Sequence, residues 1–242
     1  MSKYGFVAVP RDIQAILNGR PYINVPTPQT INSIKIPDSY VARAVQQYAK
    51  RELPEPVYNH SVRVFYYGSA IQKDQFPEWD LDPEVYYVTC LLHDIATTEK
   101  NMAATKMSFE FYGGLISRDL VLQETKGDQD YAEAVSEAII RHQDLGTVGT
   151  ITTLGLLLQL ATILDNVGLH TSLIDKSTID SVNRGVPRHE WLSCFAKAID
   201  NENTKKPWGH TSALGKEDFR NDVLGNKVMK KYEDEEVASS RI

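Results

Sequence analysis

Hydrophobic positions recur along most of this chain at steps of three and four, the period of a helix with one buried face. Val41, Val45, Tyr48 and Ala49 keep that spacing behind Asp38-Ser39, a pair suited to capping, and predict a helix to about Leu53. Pro54 and Pro56 then interrupt, and His60, Val64, Tyr67 and Ile71 predict a second helix. Asp82-Pro83, a cap followed by a first-turn proline, opens PEVYYVTCLLHDIATT. A fourth helix is predicted from Ser108 to about Gln123, where Gly113-Gly114 suggests close packing or a kink. Asp128 caps a fifth, with Ala132, Val135, Ile139 and His142 on one face. The segment ITTLGLLLQLATILDNVG is apolar nearly all round, which predicts the central buried helix, stopped at Gly168. Pro187 opens a helix through Trp191 and Phe195, and a last one carries Phe219, Val223 and Met229.

Strand signals are sparse, so the pattern predicts an all-α domain over residues 38–232. Residues 1–37, with prolines at 10, 21, 26, 28 and 37, read as an irregular surface arm with room for short strands. The stretch EDEEVASSRI, residues 233–242, reads as a flexible tail.

Composition changes the picture mainly by exclusion. At 242 residues and 42% hydrophobic content, one substantial core is expected without staples. The net charge of −6, with no basic block, disfavours a nucleic acid as partner. Cys90 and Cys194 sit in apolar runs and read as free thiols in a reducing compartment. MSKYGFVAVP lacks an apolar signal core, and LGLLLQLATIL is too short to span a bilayer. No membrane partner is therefore expected, and the cytoplasm is the expected location, with the nucleus as the alternative.

The candidate chemistry begins at His93-Asp94, which follows the apolar run VTCLL. An ionised aspartate at the inner end of a buried helix is costly unless something compensates it. A bound cation does so and keeps the carboxylate charged. Asp165 raises the same question independently, on the most hydrophobic helix of the chain, where Leu158, Thr162 and Asp165 share a face. His60 adds a second imidazole. Two imidazoles and two carboxylates suit zinc, with iron(II) or manganese as alternatives, whereas a metal-free buried network of hydrogen bonds is the plainer reading.

The order His, His-Asp, distant Asp is the signature of the HD-domain metalloenzymes. The segments YNHSVRVFYYGSAI, TCLLHDIATT, TKMSFEFYGG, EAIIRHQD, ITTLGLLLQLATILDNVG, PRHEWLSCFA and KPWGHT together resemble the fungal cyanamide hydratases, from about Pro37 to about Gly215. The resemblance implies an HD-domain helical bundle, one zinc ion per chain, and hydration of the small molecule cyanamide to urea, which makes the enzyme a hydro-lyase. It places the metal quartet on His60, His93, Asp94 and Asp165.

On that footing Asp94 both ligates the metal and takes a proton from the attacking water, and His142, oriented by Asp144, donates one to the nitrile nitrogen. Thr162 and Asn166 flank Asp165 and are expected to hold the substrate's amino group. Trp208 is expected to close the pocket as an apolar lid. Two other readings stay open: an HD phosphohydrolase acting on a nucleotide, for which Lys100, Lys106 and Arg141 offer thin cationic support, and a non-catalytic HD binding module. A homo-oligomer is expected, with the arm lying across a neighbour.

Overall fold

Short polar side chains set where the helices begin. Ser39, Asp82, Asp128, Thr152 and Asp175 each accept a hydrogen bond from a first-turn amide, satisfying donors that the helix itself leaves open. The computed structural model describes residues 3–215 and 217–239, so Met1 and Ser2 of the arm and residues 240–242 of the tail lie outside the described residues.

Strand β1 (Ala8–Pro10) and helix α1 (Ile13–Leu17) form the arm, followed by α2 (Tyr40–Glu52), α3 (Glu55–Gln75) and α4 (Pro83–Leu92). Then come α5 (Glu99–Ala104), α6 (Phe109–Glu124), α7 (Gln129–Ile140), strand β2 (Thr150–Thr152) and α8 (Thr153–Val167). The chain continues with α9 (Lys176–Gly185), α10 (Trp191–Lys205), α11 (Asp218–Leu224) and α12 (Lys227–Ser239).

α8 is the central element. Every residue from Thr153 to Asn166 is buried, and Gly168 ends the helix at φ 75° while its amide bonds Leu164 O. Each fully buried leucine there contributes about 1.5–3 kcal/mol. Helix α3 packs along α8, and α4 and α7 close the same core. At Gly68 the approach of α3 to α4 is so close that a Cβ would lie 1.7 Å from Tyr86 Oη. The paired glycines of α6 serve close packing: a Cβ on Gly114 would lie 2.5 Å from Ile140 Cγ1 of α7.

The arm is stitched to its own domain rather than left free. β1 pairs antiparallel with β2, with Val9 opposite Ile151. Arg11 Nη2 bonds both the carbonyl and the carboxylate of Asp144, each at 2.6 Å. Thr27 bonds Asp74 through its amide and its hydroxyl. Cys90 is buried and Cys194 partly buried, both as free thiols.

Four expectations are corrected. The helix expected at Pro187 begins at Trp191, because His189 and Glu190 take left-handed backbone angles and form a turn. The last helix is two, broken at Gly225-Asn226, where Asn226 Oδ1 accepts the Met229 amide. His142 lies beyond the end of α7, not on its face. The acidic tail is helical as far as Ser239, because Glu233 turns inward onto the buried Arg188.

Candidate metal centre

Three imidazoles are oriented by acceptors at their Nδ1 atoms. His93 closes the C-terminal end of α4 and places Nδ1 2.7 Å from Cys90 O, one of the carbonyls a helix end leaves unused. His142 does the same with Ile139 O at 2.7 Å past the end of α7. His60, in α3, places Nδ1 2.6 Å from Asp165 Oδ2. A carbonyl or an ionised carboxylate can only accept, so the proton of each neutral ring sits on Nδ1 and leaves Nε2 bare.

Two of those bare nitrogens face each other. His60 Nε2 lies 3.2 Å from His93 Nε2, and Asp94 Oδ2 stands 3.7 Å and 3.3 Å from them. All three side chains are essentially inaccessible to solvent. Neither oxygen of Asp94 accepts a hydrogen bond. Two nitrogen lone pairs and an orphaned carboxylate, turned on one point, repel one another unless a cation lies between them. Tetrahedral ligation at ~2.1 Å would set donor–donor edges of about 3.4 Å, close to the spacing here. His60, His93 and Asp94 form the one such donor group of three or more among the described residues.

The electrostatics agree. Against burial, His93, His60 and His142 hold the Asp94 carboxyl well below the usual carboxylate range. Burial pushes His60 down to about 4, despite Asp165. Burial also works against His93, but the neighbouring Asp94 charge outweighs it and moves His93 upward. A proton on His93 thus competes with any metal ion for the same position.

Asp165 is placed differently from the expectation of a fourth ligand. Its carboxylate sits behind the His60 ring, on Nδ1, and is also held by Arg63 Nη2 at 2.9 Å and Arg188 Nη1 at 2.5 Å. Both guanidiniums are fully buried. Asp165 is therefore placed to orient the His60 ring, in the carboxylate–histidine arrangement common around metals. Trp191 fixes the ring from another side, stacked on His60 at 4.1 Å and 11°.

His142 faces the group from the Asp94 side, with Nε2 3.9 Å from Asp94 Oδ1 and its ring edge-on to His93 at 5.2 Å. Its orienting partner is Ile139 O, not Asp144, whose carboxylate pairs with Arg11 and Arg141. Thr162 is buried on α8, where its hydroxyl donates to Gln159 O. Asn166 accepts Trp191 Nε1 at 2.9 Å and so acts on the ring that covers His60. Trp208 is 62% exposed and bonds Lys106 O on the surface. Its loop is clasped to α6 by His210 on the buried Glu110 at 2.6 Å, beside Phe109, whose ring meets His142. Trp208 is thus held at the surface by its own bond, beside that clasp.

Sequence reasoning missed Arg63, Arg188, Trp191 and Glu233. The signal for Arg63 was present: an arginine three residues after His60 in an otherwise apolar stretch calls for a buried acid.

Comparison with known proteins agrees with this geometry. The HD domain family matches residues 57–167, which hold His60, His93, Asp94 and Asp165. Cyanamide hydratase DDI2 and cyanamide hydratase DDI3 of Saccharomyces cerevisiae are each 59% identical over 226 residues, covering 93% of this chain and 98% of either relative. With the helical bundle, the buried His-His-Asp group and identity over nearly its whole length, the chain belongs to the cyanamide hydratase family of HD-domain proteins.

Proposed function

We propose that this protein is a hydro-lyase that adds water to the nitrile of cyanamide and yields urea, at a single metal ion held by His60, His93 and Asp94. The observation that carries the proposal is the convergence of two bare Nε2 atoms on a carboxylate that accepts no hydrogen bond. Their close relatives bear the name of that activity. Zinc suits two nitrogens and an oxygen, iron(II) and manganese less closely, and when bound it supplies a Lewis acid that brings the pKa of water to about 7.

The residues then have distinct tasks. His60 and His93 present nitrogen donors whose rings cannot turn, because Asp165 and Cys90 O hold their far sides. Asp94 keeps its negative charge at neutral pH and orients the attacking water through an oxygen free to accept. His142 is neutral, since burial pushes it down, and its bare Nε2 can take a proton from that water. It then returns the proton to the nitrile nitrogen, where negative charge grows as oxygen bonds to carbon. The donor role expected of His142 is thus the second half of a shuttle. The isourea that results tautomerises to urea. The centre is closed to solvent, which favours a small uncharged substrate and excludes water beyond the one that reacts.

A phosphate-binding reading has less support, because Arg63 and Arg188 are both spent on Asp165 and Lys100 pairs with Glu52. The proposal further takes the protein as cytoplasmic and homo-oligomeric, without nucleic-acid or membrane partners. The net charge of −6 supports the absence of a nucleic acid. No helix is long and apolar enough to cross a membrane among the described residues.

The test is urea formation from cyanamide in a urease-coupled assay, with chelated and His93→Ala protein alongside. Urea is expected only from the intact, zinc-loaded protein. Zinc bound without urea would retire the substrate, and neither zinc nor urea would retire the centre and favour a binding module.

A further inference from the structure

The buried carboxylate behind His60 is itself held by the last helix. Arg188, which grips Asp165, turns its Nε to Glu233 Oε1 of α12 at 3.1 Å, and that same oxygen accepts the Leu192 amide at 3.0 Å. Arg63 and Arg188 bring two positive charges into the core, and Asp165 and Glu233 bring two negative ones. Glu236, one turn further along α12, accepts the backbone amides of Arg188 at 2.6 Å and of His189 at 2.9 Å. Those amides open a turn in which His189 and Glu190 both hold positive φ, at 51° and 57°. Side-chain-bearing residues rarely adopt that conformation, let alone twice in succession, and the surroundings must impose it. Glu236 braces the turn at those amides, Asn59 and Arg63 hold it at Pro187 O, and the turn delivers the Arg188 side chain to Asp165.

We propose that Glu233 and Glu236 are positioning residues for the metal centre, acting through Arg188 and Asp165 on the ring of His60. This rests on the reading that His60, His93 and Asp94 hold a metal ion. Neutralising Glu233 leaves two guanidiniums on one carboxylate. Asp165 is then drawn toward Arg188 and away from His60 Nδ1, and the ring loses the acceptor that sets its tautomer and its direction. Neutralising Glu236 frees the turn, with the same effect by a different route. A contact that orients a ligand in this way typically governs metal affinity by roughly 10- to 100-fold. The segment that reads as a loose acidic tail thus becomes part of the apparatus that holds the metal.

The experiment is zinc affinity of the full-length protein by competition with a chromophoric chelator. Circular dichroism reports folding. Glu233→Gln and Glu236→Gln are each expected to bind zinc roughly 10- to 100-fold more weakly. Glu233→Asp, which keeps the charge, is expected to recover part of the loss. Asp234→Asn, which removes only an exposed pair with Lys230 on the same helix, is expected to bind as wild type. Wild-type affinity in folded Glu233→Gln and Glu236→Gln would overturn the inference, as would an equal loss in Asp234→Asn. Should Glu233→Gln not fold, Glu236→Gln decides alone, since its side chain lies nearer the surface. A wild-type protein that binds no zinc would remove the metal centre itself, whereas zinc-binding wild type with unchanged variants would sink this inference only.

Discussion

Replacing Asp165 with Asn changes no volume but strips the charge from a carboxylate that three buried side chains share. Arg63 approaches it through Nε and Nη2, Arg188 through Nη1, and His60 through Nδ1. An amide can accept from some of these donors, but its NH2 group would face the others, and of the two guanidiniums Arg188 alone would keep a carboxylate partner, Glu233, among the described residues. Breaking a buried pair by removing one partner costs about 3–5 kcal/mol. For a chain of this length each kcal/mol lowers the melting temperature by about 2–4 °C, so a fall of roughly 6–20 °C is expected. The assay is thermal unfolding followed by circular dichroism, in chelator and again in excess zinc. Because these contacts all join side chains of the chain itself, the full loss is expected in chelator. If the metal-free variant melted within about 2 °C of wild type and the loss appeared only with zinc, Asp165 would be a ligand first and a structural acid second.

Other consequences are separable. His142→Gln removes the shuttle and leaves the three donors intact, so urea production is expected to fall about 10²- to 10⁴-fold with zinc content unchanged; loss of zinc instead would place His142 among the ligands. Gly68→Ala forces a methyl group onto Tyr86 Oη and its bond to Val64 O, and overpacking of this kind costs at least about 1–3 kcal/mol, readable as a lowered urea midpoint. Metal-free protein is expected to lose stability as pH falls from 6.5 through about 4, because burial holds His60 low in the folded state while the unfolded chain takes up the proton near 6.5. Asp94 and Asp165, also held low, extend the loss below 3.8, and His93, moved upward, opposes part of it. Melting temperatures across pH 7 to 4 in chelator check the sign, and a rising trend would contradict it.

How far the sequence reached depended on what kind of regularity each feature has. Helices α2, α3, α4, α6, α7 and α8 were legible, because each carries a run of apolar positions or a buried face over several turns. The short α5 and the polar α9 were not, since α5 spans six residues and α9 carries few apolar positions from which a period could show. The tail failed for the opposite reason. Its run of acids looked like a solvated segment, and the buried Arg188 and the Leu192 amide, more than 40 residues away in sequence, give Glu233 a reason to turn inward.

The site shows the same division at atomic scale. His60, His93 and Asp94 could be named from the chain because a buried histidine or acid needs a partner wherever it is found. Asp165 was identified on those grounds too, and its burial holds. What periodicity cannot supply is which nitrogen of His60 it meets, for a helix pattern fixes the face of a residue and not the sense of its ring. That sense decides between ligand and orienting acid. It is set here by two arginines whose own positions depend on α12, so the role of Asp165 is a property of the assembled core and not of the segment that carries it.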